Sequence, residues 1–145
     1  MPAGKFGSVS SKMKPRASLI MNPKYMKSLD RRMQRAIQKA LDIGMELLRS
    51  EAQAIKNESQ DIVPYDTGNL HDSAHYKVIR QKYVVHADVW YDVSKAPYAW
   101  IQHEDETIQH SGNRQAKFLW IPITAREGVM ETIWANTFEK AGVFK

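Results

Sequence analysis

Apolar residues recur every three or four positions between residues 26 and 55, the spacing of one stripe along an α-helix. The stripe consists of Met26, Leu29, Met33, Ile37, Ala40, Gly44, Leu47 or Leu48, Ala52 and Ile55. Asn22-Pro23 predicts the helix start, because Asn is a good cap and Pro suits the first helical position, and Ser28 is a rival cap. We expect this long amphipathic helix to end near Asn57.

Further along the chain the periodicity changes to alternation over residues 76–81 and 85–92, which predicts two adjacent strands with a turn near residues 80–82. Residues 98–101 fit a helical turn or a short strand, and the polar residues 104–117 fit a loop or open hairpin. Pro122 predicts the start of a last helix. The stripe of this helix consists of Ile123, Arg126, Met130, Ile133, Trp134 and Phe138.

This order of elements predicts an α+β fold, in which the long N-terminal helix and the C-terminal helix pack on one face of a small antiparallel sheet. Residues 1–21 have neither helical nor strand periodicity, and they are expected to form an extended basic arm. Residues 22–145 are then expected to form one α+β domain, since the 145-residue chain suits a single core.

Charge is distributed unevenly along the chain. Residues 1–39 hold ten Lys or Arg against one acid, whereas residues 40–145 hold eleven bases against fifteen acids. Such a basic segment is typical of a partner-binding region, and nucleic acid, a membrane surface or an acidic protein face all satisfy it. The predicted partner or DNA contacts are Lys5, Lys12, Lys14, Arg16, Lys24, Arg31, Arg32 and Arg35.

The composition excludes several kinds of site and location. The chain has no cysteine, which excludes disulfides, thiolate catalysis and sulfur-based zinc sites. Its apolar runs are far shorter than the roughly 20 residues of a membrane span, and its N-terminus lacks the apolar region of a signal peptide. We therefore expect a protein that is neither secreted nor associated with a membrane.

Two short motifs point weakly to enzymes. Asp66-Thr67-Gly68 is the tripeptide of aspartic proteases, but no preceding hydrophobic strand supports that interpretation, and Asp66 or Thr67 as the cap of a short helix over residues 68–73 explains it better. His71 and His75 have the spacing of a zinc-binding helix but lack its glutamate. We therefore predict no catalytic residue, no metal site and no cofactor, and no hydrolytic activity.

The segment from Val63 to Ser73 resembles the P-x-D-T-G-x-L-x-x-S signature of bacteriophage neck or tail-completion proteins, also called minor capsid proteins. Further matches follow in order: residues 89–92 resemble that family's second strand, Pro97-Tyr98-Ala99 and Glu104 its next turn, and Phe118-Leu119 the approach to its last helix. The resemblance covers about residues 24–140. Asp105-Glu106-Thr107 departs from the small residue and Gly-Thr that are common in the family.

The resemblance implies a scaffold motif made of Pro64, Asp66, Thr67, Gly68, Leu70, Ser73, Pro97, Tyr98, Ala99, Glu104, Phe118 and Leu119. In this scaffold Leu70 turns inward, and Pro97 and Tyr98 anchor a crossing against the sheet. The resemblance also implies a structural virion protein, assembled in the cytoplasm of the bacterial host, that forms a ring of about six or twelve copies between the DNA-filled head and the tail. Its expected partners are other copies of itself, adjacent connector or portal-side proteins and tail-tube or terminator proteins, with non-specific contact to genomic DNA in the channel.

An alternative hypothesis is a nucleic-acid-binding protein that contacts phosphates through the basic arm and the start of the long helix. In either case the arm has too few periodic apolar positions to bury a core of its own. We therefore expect deletion of residues 2–20 to leave the thermal midpoint of the monomer almost unchanged while weakening ring formation or docking.

Overall fold

A computed structural model describes the backbone of residues 16–20, 22–27 and 30–143. The arm residues Lys5, Lys12 and Lys14 lie outside this part of the chain. The elements, in chain order, are β1 (Arg16–Ile20), α1 (Pro23–Met26), α2 (Arg31–Ile62), α3 (Asn69–Asp72), β2 (Ala74–Arg80), β3 (Val84–Tyr91), α4 (Ala99–Glu104) and α5 (Trp120–Ala141).

The predicted long helix begins later than expected. Asn22 does cap a helix, since its Oδ1 accepts a hydrogen bond from the Lys24 amide at 3.0 Å, but that helix is the single turn α1. Helix α2 starts at Arg31, where Asp30 accepts a hydrogen bond from the Met33 amide at 2.9 Å. An Asp cap satisfies a free amide at the positive end of the helix, and this local signal decided the start.

Helix α2 also ends later than predicted, at Ile62 rather than near Asn57. The residue before a proline avoids helical backbone angles, and Val63, which precedes Pro64, is extended. The buried stripe confirms the predicted face from Ala40 to Ile55 and continues to Ser59, whereas Met33 at the predicted start of the stripe is half exposed.

The sheet has three antiparallel strands in the order β1-β3-β2. The predicted hairpin is confirmed, with Val78 opposite Ala87 and a turn after Arg80. Arg16–Ile20, the end of the predicted extended arm, form β1 and pair with β3 of the same chain. A strand paired along one edge needs no apolar periodicity of its own, since its backbone hydrogen bonds are made by the partner strand.

Helices α2 and α5 cover one face of the sheet and confirm the α+β fold. Val85, Ala87, Val89 and Tyr91 of β3 alternate toward this core, and all are buried. Helix α5 starts two residues before the predicted Pro122, which lies in its first turn, where the missing amide hydrogen is not needed.

Ionic contacts hold α5 antiparallel to α2. Arg126 forms ion pairs with Glu51, at 2.6 Å, and with Glu58, while Lys39 donates to the carbonyl of Ala141 near the other end of α5. Among the described residues, no helix has the length and apolar character that a membrane crossing requires.

Candidate functional site

The motif from Pro64 to Ser73 connects α2 to the sheet. Gly68 has a φ of 89° and is the N-cap of α3 without any side-chain cap bond. Of the two predicted caps, Asp66 is wrong, because it is exposed and does not cap α3, whereas Thr67 Oγ1 accepts a hydrogen bond from the Asn69 amide at 3.4 Å. The motif uses Gly68 because its backbone angle lies in a region that side chains disfavour, and a Cβ there would lie 3.0 Å from the Tyr65 hydroxyl.

Leu70 and Ser73 hold α3 in place. Leu70 is buried in the core, as predicted. Ser73 is fully buried, and its hydroxyl donates to the Leu70 carbonyl at 2.7 Å, while its own carbonyl accepts from the Asp92 amide at 2.8 Å. These two motif residues join α3 to the end of β3.

The segment 96–99 follows the end of β3, and the residues that pack against the core there are not the predicted Pro97 and Tyr98. Pro97 and Tyr98 are exposed, and Tyr98 retains 40% of its accessible surface. Ala96 and Ala99 are completely buried instead, and the Ala99 amide donates to the Ala96 carbonyl at 3.0 Å. The small alanines allow close backbone approach to the core, which leaves the ring of Tyr98 available on the surface.

Glu104 lies at the centre of a small charged cluster that the sequence did not reveal. Its carboxylate accepts hydrogen bonds from His103 Nδ1 at 2.7 Å and from Lys117 Nζ at 2.5 Å, and the Lys117 amide donates to the His103 carbonyl at 2.8 Å. Burial alone would raise the pKa of Glu104, but the bonds from Lys117 and His103 outweigh it and lower that pKa. Lys117 has a φ of 58°, a strained angle for a residue with a side chain. The cluster thus joins α4 to the start of α5.

Phe118 and Leu119 are completely buried, as a scaffold role requires. The ring of Phe118 packs edge-on against Tyr91 and His103, at centroid distances of 5.0 and 4.9 Å. Burial lowers the pKa of His103, and this effect outweighs the opposing influence of Glu104. An imidazole held neutral in this way serves as packing surface and hydrogen-bond donor.

The loop between α4 and α5, residues 105–119, is hydrogen-bonded to the C-terminal end of α2. Arg114 Nη1 donates to the carbonyls of Gln60 and Val63, each at 3.0 Å, and the Gln115 amide donates to the Ile62 carbonyl at 2.9 Å. The last carbonyls of a helix lack partners within the helix, so a cation and an amide stabilise this end. The Arg114 guanidinium also lies over the Tyr65 ring, 5.6 Å from its centroid.

Together these segments form a groove of about 430 Å³, which we call the motif groove. It is lined by Pro64, Tyr65, Asp66, Gly68, Leu70, Tyr98, Gln102, Ile108, Gln109, His110, Ser111 and Arg114. Within the described part of the chain, buried Gln102 Oε1 and His110 Nε2 have no hydrogen-bond partner. The motif groove therefore combines exposed aromatic rings with polar atoms whose hydrogen-bonding capacity is unused.

Three of the predicted basic contacts, Arg31, Arg32 and Arg35, lie at the opposite end of α2 from the motif. Lys24, Arg31, Arg32 and Arg35 are all exposed. The backbone of Arg16 lies in β1, opposite Asp88 of β3. The length of α2 thus separates Arg31, Arg32 and Arg35 from the motif.

The two histidines with zinc-like spacing do not share a helix. His71 lies in α3 and bonds the carboxylate of Asp72 at 2.8 Å, whereas His75 lies in β2 with its ring against Trp90. In the described ranges, no group of three or more His, Cys, Asp or Glu side chains is arranged to hold a metal ion.

No protein-family model, curated protein or solved structure matches this chain. Its function is therefore inferred from its own residues, from their arrangement and from the resemblance of its motifs.

Proposed function

We propose that this chain is a non-enzymatic structural subunit of the neck or tail-completion ring of a tailed bacteriophage, which joins the DNA-filled head to the tail. The observation that carries the proposal is the convergence of the motif segments. Five residues of the segment 64–70 line the motif groove together with Tyr98, and Leu70, Ala99, Phe118 and Leu119 belong to one core cluster, although these segments are distant in sequence.

The roles of these residues support a scaffold over a catalyst. Gly68 supplies a backbone angle, Leu70 and Phe118 supply buried volume, and Ser73 bonds a backbone carbonyl. Asp66, the residue that a protease would need buried and paired with a second carboxylate, is exposed. Residues that hold loops in a fixed conformation, as these do, are expected in a protein that functions by binding other subunits.

The surface beside the motif groove suits a protein partner. Tyr65 and Ile101 expose 57% and 56% of their accessible surface, and Tyr98 exposes 40%. Aromatic side chains are enriched in the centres of protein interfaces. Contact with a neighbouring subunit or ring would remove this apolar surface from water.

The sheet offers a second contact surface. Strand β2 lies at an edge and pairs only with β3 among the described strands, so one row of its backbone groups faces outward. Such edges tend to recruit further strands unless something covers them. In a ring, this edge would lie against a neighbouring subunit or an adjacent connector protein.

The alternative of nucleic-acid binding is favoured by one observation. Arg31, Arg32 and Arg35 form a cluster of exposed cations at the start of α2, and none forms an ion pair with a described carboxylate. Exposed cations of this kind bind phosphates without sequence specificity.

The decisive experiment is a phage that lacks this gene, examined by electron microscopy of lysates. We expect filled heads and separate tails, and we expect joined particles when the wild-type chain is supplied from a plasmid. A normal yield of joined, infectious particles without the chain would contradict the proposal. Salt-dependent binding of short duplex DNA by a monomer, together with normal particles, would favour the alternative.

A further inference from the structure

Charge is segregated toward the two ends of α2. The basic pole, which we define as residues 22–39, contains six Lys or Arg and one acid. At the end of α2 and in the loops that line or flank the motif groove, four exposed carboxylates form what we call the acidic pole: Asp61, Asp66, Asp72 and Glu106, of which Asp66 lines the groove itself. A rise of 1.5 Å per residue places the first turn of α2 about 40 Å from Asp61. One molecule therefore carries two complementary surfaces that it cannot bring together itself.

One cation, Arg114, lies at the motif groove and offsets one of the four carboxylates of the acidic pole, which as a group keep a net negative charge. Arg114 lines the motif groove, but its Nη1 is engaged by the carbonyls of Gln60 and Val63 and its plane lies over Tyr65. Asp72 bonds only the neighbouring His71 among the described residues. The carboxylates remain available to cations from another molecule.

Apolar groups complement each other at the same two poles. Met33 is 50% exposed although it lies between Arg32 and Arg35. Tyr65 and Tyr98 expose their rings at the motif groove. A methionine is flexible and polarisable, and it makes favourable contacts with aromatic rings. The basic pole thus presents one apolar anchor within a cationic rim.

We propose that the basic pole of one copy docks on the motif groove of a second copy, with Met33 between the tyrosines and the arginines facing the acidic pole. The inference rests on the proposed function and specifies which surfaces meet in the ring. Because the two surfaces differ, the contact is head-to-tail, and repetition with a closing rotation generates a ring instead of a symmetric dimer. Charge complementarity of this kind fixes orientation and steers association.

Charge reversal on the full-length chain tests the docking. One variant carries Arg32→Glu and Arg35→Glu, and the other carries Asp61→Lys and Asp66→Lys. Acids near a helix start and a lysine near a helix end are compatible with the helix dipole, so α2 should remain folded. Each variant alone should self-associate at least about tenfold more weakly than the wild type, because like charges then face each other.

Mixing the two variants provides the specific result. The mixture retains one intact pair of surfaces, the basic pole of one variant and the motif groove of the other. The two reversed surfaces are also opposite in charge, so the mixture should form hetero-oligomers that neither variant forms alone. Sedimentation velocity measures both effects. Arg49→Glu, an exposed reversal on α2 outside both poles, is the matched control and should assemble like the wild type.

A neutral pair of variants tests the apolar part of the contact. Tyr98→Ala should weaken assembly, whereas Val129→Ala, which removes a comparably exposed side chain from α5, should not. Circular dichroism and the thermal midpoint establish that each variant is folded.

Two outcomes would overturn the docking. Either the reversed variants assemble like the wild type, or they fail alone and also fail when mixed. If wild-type rings form in either case, the ring function stands and only the docking surfaces are wrong. Normal particles from the gene deletion, in contrast, would contradict the proposed function whatever the mixing result.

Discussion

The buried hydrogen bond between Ser59 and Tyr91 gives a sharp energetic prediction. It joins α2 to the end of β3, with 2.7 Å between the two hydroxyl oxygens, and both residues are almost completely buried. Burial raises the pKa of the Tyr91 phenol more than the bond to Ser59 lowers it, so the phenol is neutral and needs a hydrogen-bond partner. The two single substitutions should therefore have unequal costs.

Ser59→Ala should lower the free energy of unfolding by about 2 kcal/mol, because it leaves the tyrosine hydroxyl buried without its partner. Tyr91→Phe should cost about 1 kcal/mol, because the remaining serine hydroxyl can bond a carbonyl one turn earlier in its own helix. The aromatic contact with Phe118 is retained in phenylalanine. The double variant should cost no more than about 1 kcal/mol, since neither polar group remains.

Urea unfolding of the four proteins, followed by circular dichroism, measures the coupling between the two sites. Ser50→Ala, at an exposed position of the same helix, is the control and should be neutral or slightly stabilising. If the double variant loses the sum of the two single costs, the hydroxyls do not interact in solution and the reasoning fails.

Three further predictions concern the scaffold. His103→Gln should reduce the acid sensitivity of folding. Because burial lowers the pKa of His103, the stability due to the neutral imidazole is present above about pH 6.5 and is lost as the pH falls toward the folded-state pKa. Urea unfolding at several pH values measures this loss. Gly68→Ala should cost about 1–2 kcal/mol because of its positive φ, whereas Gly128→Ala, within α5 and with open space around it, should stabilise; equal thermal midpoints would contradict this. The pairing of β1 with β3 reverses the expectation for the arm: removal of residues 2–20 should lower the thermal midpoint, because β3 then loses its partner strand, and an unchanged midpoint would show that β1 contributes little to stability.

The sequence predicted the elements whose signal is local. The apolar stripe on α2, the alternation in β2 and β3 and the last helix follow from periodicity, because one face of each element must be buried. The inward position of Leu70 was likewise expected from the motif, and it is confirmed.

Other features depended on partners distant in sequence. Residues 16–20 have no strand pattern, and only pairing with β3 makes them a strand. Asp66 is well placed to be a cap, yet the positive φ of Gly68 sets the start of α3 and leaves Asp66 on the surface. The alanines beside Pro97 and Tyr98 are buried because the backbone passes close to the core.

The surfaces that carry the proposals were decided by tertiary structure for the same reason. The amino-acid order alone establishes the uneven charge, since that is a matter of counting residues. The length of α2 separates the two poles, and the attachment of Arg114 to the end of that helix brings the loop beside residues 64–70. Periodicity reports which face of one element is buried, but a groove between loops depends on contacts across some fifty residues of chain, which no local pattern encodes.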